Sequence, residues 1–339
     1  MDGNGPRRAV HYNPTGTERM RSAWIVHNPA AGRLPSEILV RRAADVFASR
    51  GWSARVETAR RRYELKDLIR RAAEAGAERV VVAGGDGTVG LAANVLRGTS
   101  SALAVIPSGT ANVWARELGT PPLTWAPGSV ERIADSLAEG EIRLADLGEA
   151  NGRAFLLWAG TGLDARVVNM VEPRRRLDKL LPTMLYIIHT FRSAYNWGGL
   201  DLEIAWPGGR VAGRYLVAVA SNIRSYGGGL LQLAPQAYVD DGLLDFWILE
   251  GRTVGDTVVR MLQLFRRSHA RGAAGFVHFR AAEAEFRSAS DLAMHYDGEP
   301  GLAEAPVHVR VLPKALRVVV PRGAPTTLFE NSRQAVLAG

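Results

Sequence analysis

The chain has no cysteine and only three lysines, Lys66, Lys179 and Lys314, among its 42 basic residues. Without cysteine, neither disulfides nor thiolate metal centres enter the account. No apolar run approaches the ~20 residues that a membrane-crossing helix needs. No apolar stretch follows Arg7 and Arg8, so a secretory signal is not expected. Also lacking are a Gly-x-Ser-x-Gly elbow, a His-Glu-x-x-His pair and the Gly-Lys-Ser/Thr end of a Walker loop, which sets aside serine-hydrolase, zincin and P-loop chemistry. The formal charge of +8 rests almost wholly on arginine and favours an anionic partner. Nucleic acid is not expected as that partner, because no binding module is recognisable and the aromatics are not interleaved with a basic stripe.

What the chain does have is a pair of glycine-rich turns. Gly84-Gly85-Asp86-Gly87-Thr88 follows the β-branched run Arg79-Val80-Val81-Val82-Ala83, and Ser108-Gly109-Thr110-Ala111-Asn112 follows Leu103-Ala104-Val105-Ile106-Pro107. Each run is short enough to be a buried strand, and each turn precedes a helix-compatible stretch. Glycines let backbone N–H groups approach an anion, and a helix N-terminus adds partial positive charge. Two such turns at the carboxyl ends of parallel strands would face one crevice. Asp86 in the first turn points to Mg²⁺-nucleotide chemistry or, alternatively, to a helix cap.

At 339 residues two domains are expected. Residues 1–22 are polar and punctuated by Gly and Pro, as in a mobile arm. Over 23–145, apolar runs at 23–26, 79–83 and 103–107 alternate with helical patterns at 36–50, 64–76, 88–97 and 129–139. That alternation implies an α/β domain with a parallel sheet. Over 146–319, short strands at 153–159, 201–206, 210–221, 243–250, 276–279, 283–288, 292–296 and 307–311 imply an antiparallel β-sandwich with a helical insertion at 173–197. Residues 320–339 either rejoin the first domain or remain a tail, with Phe329 starting a short helix.

The Gly84–Thr88 turn, together with Asn28-Pro29-Ala30-Ala31-Gly32 after the run Ala23–Val26, resembles the diacylglycerol kinase catalytic family, which includes bacterial lipid kinases and sphingosine kinases. NAD kinases share the first turn. The second half adds Tyr226-Gly227-Gly228-Gly229, Leu233-Ala234-Pro235-Gln236-Ala237, Asp240-Asp241-Gly242-Leu243-Leu244-Asp245 and Asp297-Gly298-Glu299, in the lipid-kinase order. The resemblance spans about residues 23–320. It implies phosphoryl transfer from ATP with Mg²⁺ to a lipid hydroxyl such as that of diacylglycerol, in a cleft between the two domains. It places Asn28, Pro29, Gly32, Gly84, Gly85, Asp86, Gly87, Thr88, Ser108, Gly109, Thr110 and Asn112 at the nucleotide, with Thr58 a weaker match. Glu299 is the favoured general base, with Asp297 as its orienting or metal-linked neighbour and Asp86 as a rival for either role.

Asp240 and Asp241 before Gly242 read as hairpin residues. The resemblance instead implies a structural Mg²⁺ held by the carbonyls of Tyr238 and Leu243 and the carboxylate of Asp241, with Asp245 nearby. A diacylated substrate stays in the bilayer, so the expected location is cytoplasmic, with peripheral attachment to an anionic membrane. Residues 173–192 are the first choice for that contact and 258–267 the second, since both mix arginines with an apolar face. A homodimer is compatible with the sequence. The chain departs from the family at Gly90-Leu91, where Asn-Glu is usual, at Val113, where Asp is usual, and at Trp158, where Asn is common. Arg33 replaces a frequent lysine. These departures leave open a soluble acceptor such as NAD, or a homologue that binds nucleotide and lipid but transfers weakly.

Overall fold

The computed structural model describes residues 21–31, 36–171, 197–324 and 326–330. Gly32, Arg33, the segment 173–192, the arm up to residue 20 and residues 331–339 lie outside the described residues.

The first half alternates strand and helix. Strands β1 (Ser22–His27), β2 (Ser53–Thr58), β3 (Arg79–Gly84) and β4 (Ala102–Pro107) form a parallel sheet ordered β2-β1-β3-β4. Helices α1 (Ser36–Ser49), α2 (Arg62–Glu74), α3 (Asp86–Leu96), α4 (Val113–Glu117) and α5 (Ser129–Ala138) connect and cover it. Val81 points to the α1–α5 side with Phe47 and Ile133, whereas Val80 and Val82 point to the α2–α3 side with Ile69 and Leu96. A parallel strand covered on both faces must be apolar at every position, which is why β3 and β4 read as uninterrupted runs. β2 carries Arg55 and Glu57 because it is the sheet's outer strand, where charges discourage further pairing.

β5 (Glu141–Ala150) leads into the second half, followed by β6 (Arg153–Phe155), β7 (Trp158–Gly162), α6 (Leu163–Val171), β8 (Leu200–Trp206), β9 (Gly209–Ser221), β10 (Ser225–Tyr226), β11 (Leu231–Gln232) and β12 (Leu244–Glu250). Then come α7 (Val254–Phe265), β13 (Phe276–Ala281), β14 (Glu283–Arg287), β15 (Leu292–Tyr296), β16 (Glu299–Ala303) and β17 (Val307–Val320). Antiparallel pairing runs β16-β15-β7-β9-β8-β14-β17, with β12 also on β9 and β13 on β12. Phe155, Phe246, Phe286, Ile204 and Met294 fill the sandwich core.

The expected strand 153–159 is broken at Leu156-Leu157, because the amides there turn to a carboxylate rather than to a neighbouring strand. The strand expected at 307–311 continues to Val320. Its first part pairs with β14, and Val318 pairs in parallel with Leu103 of β4. Long antiparallel pairing between β5 and β17 therefore ties the halves together, and the expected boundaries after 145 and 319 both fall inside strands. Leu328 and Phe329 are buried beside β5, where Val239 N–H donates to the Leu328 carbonyl and Arg143 covers the Phe329 ring.

Candidate active site

Because β1, β3 and β4 are adjacent and parallel, their carboxyl ends set Asn28–Ala31, Gly84–Thr88 and Ser108–Asn112 side by side. The two glycine turns touch. A Cβ placed on Gly109 would lie 2.4 Å from the Gly85 Cα, so the main chains approach as only glycine permits. Asn28 laces the first strand to α3, its Nδ2 donating to Thr88 Oγ1 at 2.9 Å while its Oδ1 accepts from Ala30 N at 3.1 Å. Pro29 follows, exposed. Asn112 adopts φ +50°, and its side-chain amide closes the second turn by bonding both Gly109 N and Gly109 O at 2.9 Å. Ser108 Oγ is buried without a hydrogen-bond partner, and Thr110 is exposed. Gly85, the N-cap of α3, brings no side chain to the helix's first amides. Thr58 ends β2, with Oγ1 3.4 Å from His27 Nδ1; burial holds the His27 imidazole below its ordinary pKa.

The three candidate carboxylates are treated differently by the fold. Asp86 caps a helix, but that helix is α4 rather than the one it begins: its Oδ1 accepts from Trp114 N at 3.3 Å, and it so ties the two turns together. Burial raises its pKa, with amides of the 112–114 segment pulling the other way. Asp297 sits at φ +53° in the turn from β15 to β16, and its carboxylate accepts from the amides of Leu156, Leu157 and Trp158 at 2.8, 2.7 and 3.1 Å. Burial lifts its pKa to about 6 against those donors, and the nearby charge of Asp86 adds to the rise. A Cβ on Gly90 would stand 3.1 Å from Asp297 Oδ2, so α3 and the Asp297 turn approach closely at this glycine. Glu299 is more open, with 39% of its side chain exposed and Oε2 3.5 Å from Arg153 Nη2. Its Oε1 lies 3.6 Å from where a Gly87 Cβ would be. The first turn and the Asp297–Glu299 corner, far apart in sequence, thus lie face to face.

The implied Mg²⁺ turn is built otherwise. Asp241 accepts from Leu243 N at 3.0 Å through Oδ1 and from the Arg280 guanidinium through Oδ2. Asp146 accepts from Gly242 N and Lys314 N at 2.7 and 2.6 Å, and Asp240 from Glu330 N at 2.7 Å. The acidic groups around Tyr238, Asp241 and Leu243 are therefore engaged by donors already inside the chain. The one carboxylate of the implied set, Asp241, is thus occupied at both oxygens, and a divalent ion does not fit there while Arg280 holds it. Among the described residues, no group of three or more His, Asp or Glu is placed to hold a metal.

Nearby lies an apolar pocket enclosing about 60 Å³, lined by α6, β9, β12 and α7 through Val167, Val219, Leu249, Met261 and Leu264. Asp164 is at its polar end, with Oδ2 accepting from the Tyr226 hydroxyl at 2.6 Å and lying 2.7 Å from His295 Nε2. Asp164 escaped sequence reasoning. Its one local signal is a carboxylate in the first turn of α6, since Tyr226 and His295 reach it across 62 and 131 residues. The departures from the family pattern are apolar here in contact as well as in composition. Leu91 packs against the core, Val113 is buried, and Trp158 is buried edge-on to Tyr226 at 5.4 Å.

The comparisons place this fold in a family of phosphotransferases. Residues 22–150 match the family described as diacylglycerol kinase catalytic domain, and residues 158–320 match the YegS C-terminal NAD kinase beta sandwich-like domain. A Pseudomonas aeruginosa protein named "Probable lipid kinase YegS-like" is 33% identical over 304 residues, covering 89% of this chain and 94% of that one. The Bacillus subtilis protein named "Diacylglycerol kinase" is 25% identical over 308 residues, covering 89% and 97%. The crystal structure of a diacylglycerol kinase from Bacillus anthracis superposes with a TM-score of 0.69 at 18% identity, covering 91% and 99%; at that identity the likeness speaks for fold. The chain belongs to the diacylglycerol kinase-like family of lipid kinases. No helix among the described residues is long and apolar enough to cross a membrane.

Proposed function

We propose that this protein transfers the γ-phosphoryl group of ATP to a hydroxyl of diacylglycerol or a related membrane lipid. The observation that carries the reading is the position of Glu299, whose carboxylate faces the first glycine turn across the cleft. In this reading the amides of the paired turns, with Asn28, Thr88 and Asn112 shaping them, cradle the phosphates. The touching main chains of Gly85 and Gly109 and the unpartnered Ser108 hydroxyl suit such a ligand. Mg²⁺ arriving with the nucleotide would neutralise charge on the transferring oxygens.

Glu299 takes the proton from the lipid hydroxyl as that oxygen bonds to the γ-phosphorus; the bond to the β–γ bridging oxygen breaks and ADP leaves. Asp297 acts as a positioning residue, since its carboxylate is spent on three amides and holds the 156–158 segment against the turn. The apolar lining of the pocket, with Asp164 and Tyr226 at its polar end, supports a lipid rather than a soluble acceptor such as NAD. For the membrane, support comes from α7, on which Val259, Leu262 and Phe265 form an exposed stripe ending in exposed Arg266 and Arg267. The other face of the same helix lines the pocket.

The test is incubation with labelled ATP, Mg²⁺ and total lipid extract. The wild type labels a lipid, and Glu299→Gln loses about 10²–10⁴-fold in kcat while nucleotide still raises its melting temperature. Undiminished transfer by Glu299→Gln, or labelling of NAD in place of lipid, would overturn the reading.

A further inference from the structure

We infer that the guanidinium of Arg280 takes the place of a divalent cation at the Asp240–Leu243 turn, so that this turn is held by an internal charge and binds no metal. The register of the sandwich carries the inference. β12 and β13 pair antiparallel with Asp245 directly opposite Arg280. Cross-strand partners of opposite charge lie close enough to interact. From that anchor Arg280 reaches over the turn, with Nε 3.4 Å from Asp245 Oδ2 and Nη2 bonded to Asp241 Oδ2.

The side chains of Asp241 and Asp245 are only 5% and 3% exposed, so two carboxylates are nearly withdrawn from water and need a cation. The planar, permanently charged guanidinium hydrogen-bonds Asp241 and lies within ion-pair distance of Asp245, so one fixed charge faces both carboxylates. His278 takes the remaining Asp245 oxygen, with Nε2 2.8 Å from Oδ1, and Leu243 N takes the remaining Asp241 oxygen. Mg²⁺ and Ca²⁺ need several oxygens at about 2.0–2.6 Å. Both Asp241 oxygens already accept, Oδ1 from Leu243 N and Oδ2 from Arg280.

The test uses the full chain without nucleotide, so that nothing at the cleft contributes. Wild-type protein is exchanged into buffer without chelator for metal analysis and melted in EDTA, in excess MgCl₂ and in excess CaCl₂. Arg280→Gln, which keeps a polar side chain but removes the charge, is melted in the same three conditions. The expected wild type carries no stoichiometric Mg²⁺ or Ca²⁺, and its melting temperature is the same throughout. Arg280→Gln melts roughly 4 °C or more lower in EDTA and recovers in Mg²⁺ or Ca²⁺. One equivalent of either ion in the wild type, or a fall in its melting temperature on chelation, overturns the inference. So does an Arg280→Gln protein that melts like wild type in EDTA, or that neither ion restores. Should Arg280→Gln fail to fold, the wild-type metal content and melting curves decide alone.

Discussion

Asp297 and Glu299 are two residues apart, yet one is sealed under three backbone amides and the other opens to the cleft. The left-handed backbone at Asp297 makes this division, because it turns that side chain back toward the 156–158 segment. A consequence is a pH signature. Asp297 ordinarily titrates near 3.8 and here near 6, so between those values the native state holds a proton that the unfolded chain has released. Stability therefore falls as pH rises through that window, by at most about 3 kcal/mol. Asp297→Asn should be destabilised most at low pH, where the wild type is strongest, and its deficit in urea unfolding should shrink as pH rises from about 4 to about 6 and then level off. A deficit that does not change with pH would remove the assignment. Sequence reasoning reached both residues as a pair from the family pattern, but which is anchored and which is open depends on amides about 140 positions away.

At the scale of elements, the paired turns depend on touching main chains. Gly109→Ala puts a Cβ 2.4 Å from Gly85 Cα and 2.8 Å from Asn112 Oδ1, so the cradle must spread. We expect roughly 1–3 kcal/mol of destabilisation and loss of nucleotide-induced thermal protection, read by melting curves with and without ATP. The glycine turns and their strands were legible because such close approach demands glycine and a doubly covered parallel strand demands a long apolar run. The stretch 153–159 reads as one strand but is divided between β6 and β7, because the Leu156 and Leu157 amides serve Asp297.

α7 begins with a reciprocal cap in which Thr253 Oγ1 accepts from Asp256 N and Asp256 Oδ2 accepts from Thr253 N, at 3.1 and 2.9 Å. Its apolar stripe faces outward. Replacing Leu262 and Phe265 together by serine should weaken sedimentation with anionic vesicles by about tenfold or more, with the melting temperature nearly unchanged. Equal sedimentation would sever α7 from the membrane proposal.

For the whole molecule, β5 and β17 make the halves one structure, and Phe329 is buried against that junction. Phe329→Ala should lower unfolding stability by about 3–5 kcal/mol, measured by denaturant titration; a loss below 1 kcal/mol would mean the docked segment is incidental. The amino-acid order by itself determined the α/β half, the sandwich and the two glycine turns at one sheet edge, because these follow from local periodicity and from glycines next to strands. Only the tertiary structure decided which groups meet: Asp86 under α4, Arg280 on Asp241, and Tyr226 and His295 on Asp164. Those pairings join residues from 28 to 131 positions apart. Charge and hydrogen bonding act over a few ångströms of space, and chain separation carries no record of that distance.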